Sequence, residues 1–155
     1  MSNQTKTRIV FVDDDPMLLA STRRQLLKKL PDCELAFFDR AVEALESFVE
    51  NPPDIVLSDV RMPEMDGAEF LTKVSKTCPD SIRLAWTGHS EANQLQQVFA
   101  VAHQVLSKPC PTESLFILIS EVVKLDRQFR ENVVDLSSLR DKLPDFDELV
   151  ILPSL

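Results

Sequence analysis

A chain of 155 residues with 44% hydrophobic content is about one domain long and can bury one core. A net charge of −8, from 25 acidic against 17 basic residues, argues against nucleic-acid binding by this segment, because phosphate contacts need clustered Lys and Arg. No run approaches the roughly 18 apolar residues of a membrane span and no signal-peptide pattern opens the chain, so a soluble cytoplasmic protein without membrane contact is expected. Cys33, Cys78 and Cys110 are odd in number and widely spaced, which fits three free thiols rather than a disulfide framework or a zinc site.

The first apolar run, RIVFV at 8–12, drives straight into Asp13, Asp14 and Asp15, followed by Pro16. Neighbouring carboxylates raise one another's pKa, so a strand ending on several of them calls for a cation. Pro16 after Asp15 has the pattern of an N1 proline behind an N-cap, which starts a helix over MLLASTRRQLLKKL. The strand-like runs CELAFF, DIVLS, IRLAW and HQVLS follow, separated by the helical patterns RAVEALESFVEN, GAEFLTKVSKT and EANQLQQVFAVA, and closed by TESLFILISEVVKL. Continuously apolar strands such as DIVLS indicate burial on both faces by helices. The expected fold is α/β: five βα units forming a doubly wound, flavodoxin-like parallel sheet of order 2-1-3-4-5. The last helix has no stop signal, since LDRQFRENVV continues polar and helical, so an extended C-terminal helical tail is expected. The division is residues 1–125 as the domain and 126–155 as a helical extension or linker.

In such sheets, ligands sit at the carboxyl ends of the strands where the strand order reverses. Strand one ends on Asp13 and Asp14, strand three at Asp59, strand four on Thr87, and strand five at Lys108-Pro109. Three carboxylates converging there suit a hard cation such as Mg²⁺, while a hydroxyl and an ammonium suit a phosphate. A carboxylate held beside a metal and a lysine can attack phosphorus and form an aspartyl phosphate.

VDDDP, LSDVRMPEMDG, WTGHS and LSKPC, in this order at strand ends, resemble the receiver domain of two-component response regulators, whose fold is CheY-like. The resemblance covers roughly Lys6 to Leu125, judged from the run of βα units. It implies Asp59 as phosphoacceptor, Asp14 as a direct Mg²⁺ ligand, Asp13 as a water-mediated one, and the Arg61 carbonyl as a further ligand. Thr87 and Lys108 would contact the phosphoryl group, and Pro109 would follow a cis peptide. Asp15 falls outside this set and is assigned to helix capping. The family's usual aromatic residue is replaced by Val105, so signalling by a rotating ring is not expected there. Arg61 and His89 occupy places that modulate access of the hydrolytic water.

The resemblance further implies a histidine kinase or phosphotransfer protein as donor, and an output face on the fourth helix, fifth strand and fifth helix, through which the chain could dimerise. VAHQVLSKPC, the long last helix and LVILPSL resemble receivers fused to HDOD output domains, with HD-GYP phosphodiesterases next, so the chain would stop as an output domain begins. Such a switch catalyses only its own phosphorylation and dephosphorylation and is not otherwise an enzyme. Two alternatives stand beside it: a phospho-independent pseudo-receiver acting as a protein-binding module, and an aspartate-nucleophile phosphate hydrolase. The hydrolase would need a second acid where Arg61 stands. Trp86 and Phe37, Phe38, Phe48, Phe70, Phe99 and Phe116 are read as core, and His89 and His103 as structural or exposed rather than metal ligands.

Overall fold

The computed structural model describes residues 5–88 and 92–131. It alternates β1 (Thr7–Val12), α1 (Pro16–Leu27), β2 (Cys33–Phe38), α2 (Ala41–Phe48), β3 (Ile55–Asp59), α3 (Gly67–Thr77), β4 (Ile82–Thr87), α4 (Ala92–Val101), β5 (Gln104–Ser107) and α5 (Thr112–Arg130). All strand pairs are parallel and the order is β2-β1-β3-β4-β5, the CheY-like arrangement expected from the sequence. The segment Leu149–Leu155 and His89 lie outside the described residues.

The central strands are largely apolar because each face meets a helical layer, and the period-two alternation sorts their side chains between two cores. Ile9, Phe11, Ile55, Leu57, Ile82, Leu84, Trp86 and Leu106 pack with α1 and α5. Val10, Val12, Val56, Ala85 and Val105 pack with α2, α3 and α4. Register sets Ile9 beside Ile55 and Ile82, and Phe11 beside Leu57 and Leu84. One step further along the same face, Asp59 lies beside Trp86. The apolar rows thus lead into the polar edge without a break in the ladder.

One expectation about the core changes. Phe48 and Phe70 are buried, but Phe37, Phe38, Phe99 and Phe116 are only partly so. Phe37 and Phe38 lie on β2, which is an edge strand among the described residues, and Phe116 sits under the Lys29 ammonium at 5.3 Å from its ring centroid. Phe11 is fully buried and stacks on Phe37 with centroids 4.8 Å apart. Trp86 is a core residue, as read.

Helix α5 continues past Lys124 to Arg130, and its last turn is tied to the sheet's N-terminal edge. Arg130 donates to the fully buried Asp126 at 3.0 Å and pairs with Asp54, whose other oxygen accepts from the Arg8 backbone N–H at 2.8 Å.

Candidate functional site

Each strand end delivers its side chain for a local reason. The β1 ladder runs out at Val12, and the Asp13 N–H is held by the Phe38 carbonyl at 3.1 Å, which fixes the start of the acidic loop beside β2. Asp15 caps α1: its Oδ1 accepts from the N–H groups of Met17 at 3.0 Å and Leu18 at 3.2 Å, and Pro16 occupies the first turn. The division of the acidic run into cap and pocket residues therefore stands for Asp15. Asp13 turns inward instead, with Oδ1 accepting the Asp15 N–H at 2.9 Å, and is 1% exposed. Asp14 faces solvent.

Asp59 closes β3 almost buried, with Oδ1 accepting the Val60 N–H at 2.8 Å. The chain then leaves through Arg61, Met62 and Pro63 to Asp66, which caps α3 by accepting the Glu69 N–H at 2.8 Å. Gly67 opens α3 so close to the strand end that a Cβ there would lie 2.2 Å from the Asp59 carbonyl oxygen and 2.8 Å from the Val60 Cα. Only a glycine lets α3 start there.

Lys108 lies just after β5, before a cis peptide to Pro109, with its N–H on the Thr87 carbonyl at 2.9 Å. Its ammonium reaches the Asp13 carboxylate at 2.5 Å and the Asp59 carboxylate at 3.3 Å, and lies 4.9 Å from the Trp86 ring centroid. Thr87 is buried at the end of β4. By strand alternation it belongs to the row of Ala85 and Val105, on the opposite face from Trp86, so the pocket straddles the end of the sheet.

Carboxylate oxygens of Asp13, Asp14 and Asp59 lie within 4.8 Å of one another. Three acids against one ammonium leave uncompensated negative charge in a partly buried pocket. Burial and the neighbouring Asp13 carboxylate push the Asp59 carboxyl up to about 6, with Lys108 pulling the other way. An all-oxygen donor set with excess negative charge fits a hard divalent cation and is poor for a soft one.

The other expectations resolve simply. Cys33, Cys78 and Cys110 are free thiols, and burial pushes those of Cys33 and Cys110 up, away from reactivity. His103 is structural: its Nδ1 accepts the Arg83 backbone N–H at 2.9 Å while its backbone N–H donates to the Arg83 carbonyl at 2.7 Å. Val105 is buried in the α3–α4 core, where a valine has no ring to swing. The pairing of Arg40 with Glu64 had no sequence signal, because the two residues are 24 positions apart and meet only through the fold.

A doubly wound parallel sheet whose switch point gathers three aspartates, a lysine and a threonine defines a phosphoryl-accepting signalling module. The response regulator receiver domain family matches residues 9–120, and the chain belongs to it. An uncharacterized response regulatory protein of Vibrio cholerae is 30% identical over 96% of this chain, which spans 56% of that relative's length. A CheY-like receiver domain protein from Methanospirillum hungatei superposes with a TM-score of 0.70 at 31% identity, covering 82% of this chain and 99% of the other. The signal receiver domain of an HD domain-containing protein from Pseudomonas fluorescens has the same fold, with a TM-score of 0.74 at 23% identity over 80% of this chain and 99% of its own. The chain carries a receiver domain of two-component signalling. Among the described residues, no helix is long and apolar enough to cross a membrane.

Proposed function

We propose that Asp59 is the phosphoacceptor and that Asp13, Asp14 and the Arg61 carbonyl, with Asp59 itself, hold the Mg²⁺ that receivers use. The observation carrying this reading is the convergence of the Asp13 and Asp59 carboxylates on one ammonium, Lys108, with Asp14 beside them. When bound, Mg²⁺ offsets the charge of the acids and of the incoming phosphoryl oxygens.

The nucleophile is the Asp59 carboxylate, which is mostly ionised near pH 7.5 even with its carboxyl pushed up to about 6. It attacks the phosphorus of a phosphohistidine on a kinase or phosphotransfer protein. The P–N bond breaks, the new O–P bond forms an acyl phosphate, and the histidine leaves with its electron pair. Lys108 already bridges Asp13 and Asp59, so a small movement lets it follow the charge from the carboxylate to the phosphoryl oxygens. The buried Thr87 hydroxyl is the second donor for those oxygens, and its burial beside Val105's row gives it a route to the α4–β5 side. A switch follows only if phosphate binds one arrangement of these residues better than the other. Residues 1–125 would form the receiver and 126–155 the segment toward an output domain of HDOD or HD-GYP type, a reading supported by the long α5 and by the HD-domain receiver of similar fold.

The test is incubation of the full chain with acetyl phosphate and Mg²⁺, read by intact mass. Wild type gains one phosphoryl group that is labile to hydroxylamine, and Asp59→Asn does not. An unchanged wild-type mass, with beryllofluoride also leaving Trp86 fluorescence unaltered, refutes the assignment in favour of the pseudo-receiver. Continuous turnover of a phosphate ester would favour the hydrolase.

A further inference from the structure

The acidic pocket has two lips that are distant in sequence. One is the loop from β2 to α2, attached to the pocket through the hydrogen bond from the Asp13 N–H to the Phe38 carbonyl. The other is the loop from β3 to α3, which starts at Asp59 and contains Arg61. Since β1 lies between β2 and β3, these loops flank the end of β1 from either side.

Arg40, the residue before α2, bridges them. Its guanidinium pairs with Glu64 on the far loop at 3.0 Å and with Glu43 on its own helix at 3.3 Å. A cavity of about 150 Å³ lies between the two lips, lined by Arg40 and Val42 on one side and by Met62, Pro63, Glu64 and Met65 on the other. Glu64 is the one non-glycine residue at positive φ among the described residues, at 70°, and Met65 donates its N–H to Pro63 across it at 2.8 Å. A glutamate in that conformation is disfavoured. Glycine would be the cheaper residue for the turn alone, but glycine could not reach Arg40.

We propose that Arg40 and Glu64 form a positioning clasp that holds the loop after Asp59 against the loop beside Asp13, and so sets the divalent-cation site between them. The inference rests on the reading of Asp13, Asp14 and Asp59 as that site. Neither clasp residue touches the cation or the phosphoryl group. Both act by fixing where the Arg61 backbone sits relative to the acids. Their exposure makes the clasp sensitive to salt.

Trp86 is the single tryptophan and lies against Lys108, so its fluorescence reports Mg²⁺ binding without any turnover. Arg40→Ala and Glu64→Gln should each weaken Mg²⁺ binding roughly two- to fivefold, the range that an exposed ion pair can carry. Arg40→Lys, which keeps the charge, should recover part of the loss. Glu64→Gly gives the discriminating readout: relief of the positive φ should hold or raise the melting temperature, while Mg²⁺ binding still weakens. Unchanged Mg²⁺ affinity in Arg40→Ala and Glu64→Gln, with wild type binding normally, overturns the clasp. So does a loss of affinity that merely tracks melting temperature across the set. If wild type shows no saturable Mg²⁺ response that Asp14→Asn weakens, the cation site itself fails, and the clasp's role with it.

Discussion

Replacing Asp126 with Asn should stabilise the protein at alkaline pH, and the size of the effect follows from the burial of one carboxyl group. Asp126 is 0% exposed, Oδ2 accepts from Arg130, and Oδ1 is buried without a hydrogen-bond partner. Burial pushes its carboxyl from 3.8 up to about 7, against the pull of the Arg127 guanidinium. A folded-state pKa above the unfolded one means that this group's contribution is fully present below pH 3.8 and is lost as pH rises through about 7. At pH 8 the accumulated cost reaches up to about 4 kcal/mol, and at pH 5 about 1–2 kcal/mol, each pKa unit being worth about 1.4 kcal/mol.

Asparagine keeps the shape and an acceptor for Arg130 but has no proton to lose. It forfeits the ion pair with the half-exposed Arg130, which is worth under about 1 kcal/mol. The net gain over wild type should be about 2–3 kcal/mol at pH 8, shrinking to within about 1 kcal/mol at pH 5. Urea unfolding of both proteins at the two pH values measures it, and the difference between them cancels every other titrating group. A variant less stable than wild type at pH 8 would show that the charged Asp126–Arg130 pair is a net stabiliser, and the burial argument would be wrong.

Asp59→Asn removes another carboxyl held above its usual range, so in Mg²⁺-free buffer at pH 8 the variant should be more stable than wild type by up to about 3 kcal/mol. The sign matches that of Asp126: the contribution is full below pH 3.8 and is lost as pH rises through about 6. Added Mg²⁺ should narrow the gap, because it stabilises the wild-type pocket more; equal unfolding midpoints with and without Mg²⁺ would contradict this. Gly67→Ala places a methyl group 2.2 Å from the Asp59 carbonyl oxygen, a backbone atom with little freedom to move. Denaturant midpoints should fall by the equivalent of about 1–3 kcal/mol, as for other overpacked sites, and a variant as stable as wild type would refute the close approach.

The βα alternation, the parallel sheet and the strand-end residues Asp13, Asp59, Thr87 and Lys108 were all legible in the sequence. Strand and helix periodicities are local, and the end of an apolar run marks where a strand leaves the core. The capping role of Asp15 was legible for the same reason, since a cap and its N1 proline are neighbours in the chain. Register and long-range pairing belong to the tertiary structure. Lys108 meeting both Asp13 and Asp59, Arg40 reaching Glu64, and Arg130 joining Asp126 to Asp54 all depend on which loops the sheet order brings together. The exposure of Phe37 and Phe38 was likewise decided by β2 lying at an edge, a position no local pattern encodes. The sequence by itself determined which groups stand at the sheet's carboxyl edge, because that follows from where each apolar run stops. Only the fold decided which of those charges neutralise one another and which are left to bind a cation, because that depends on distances between segments far apart in the chain.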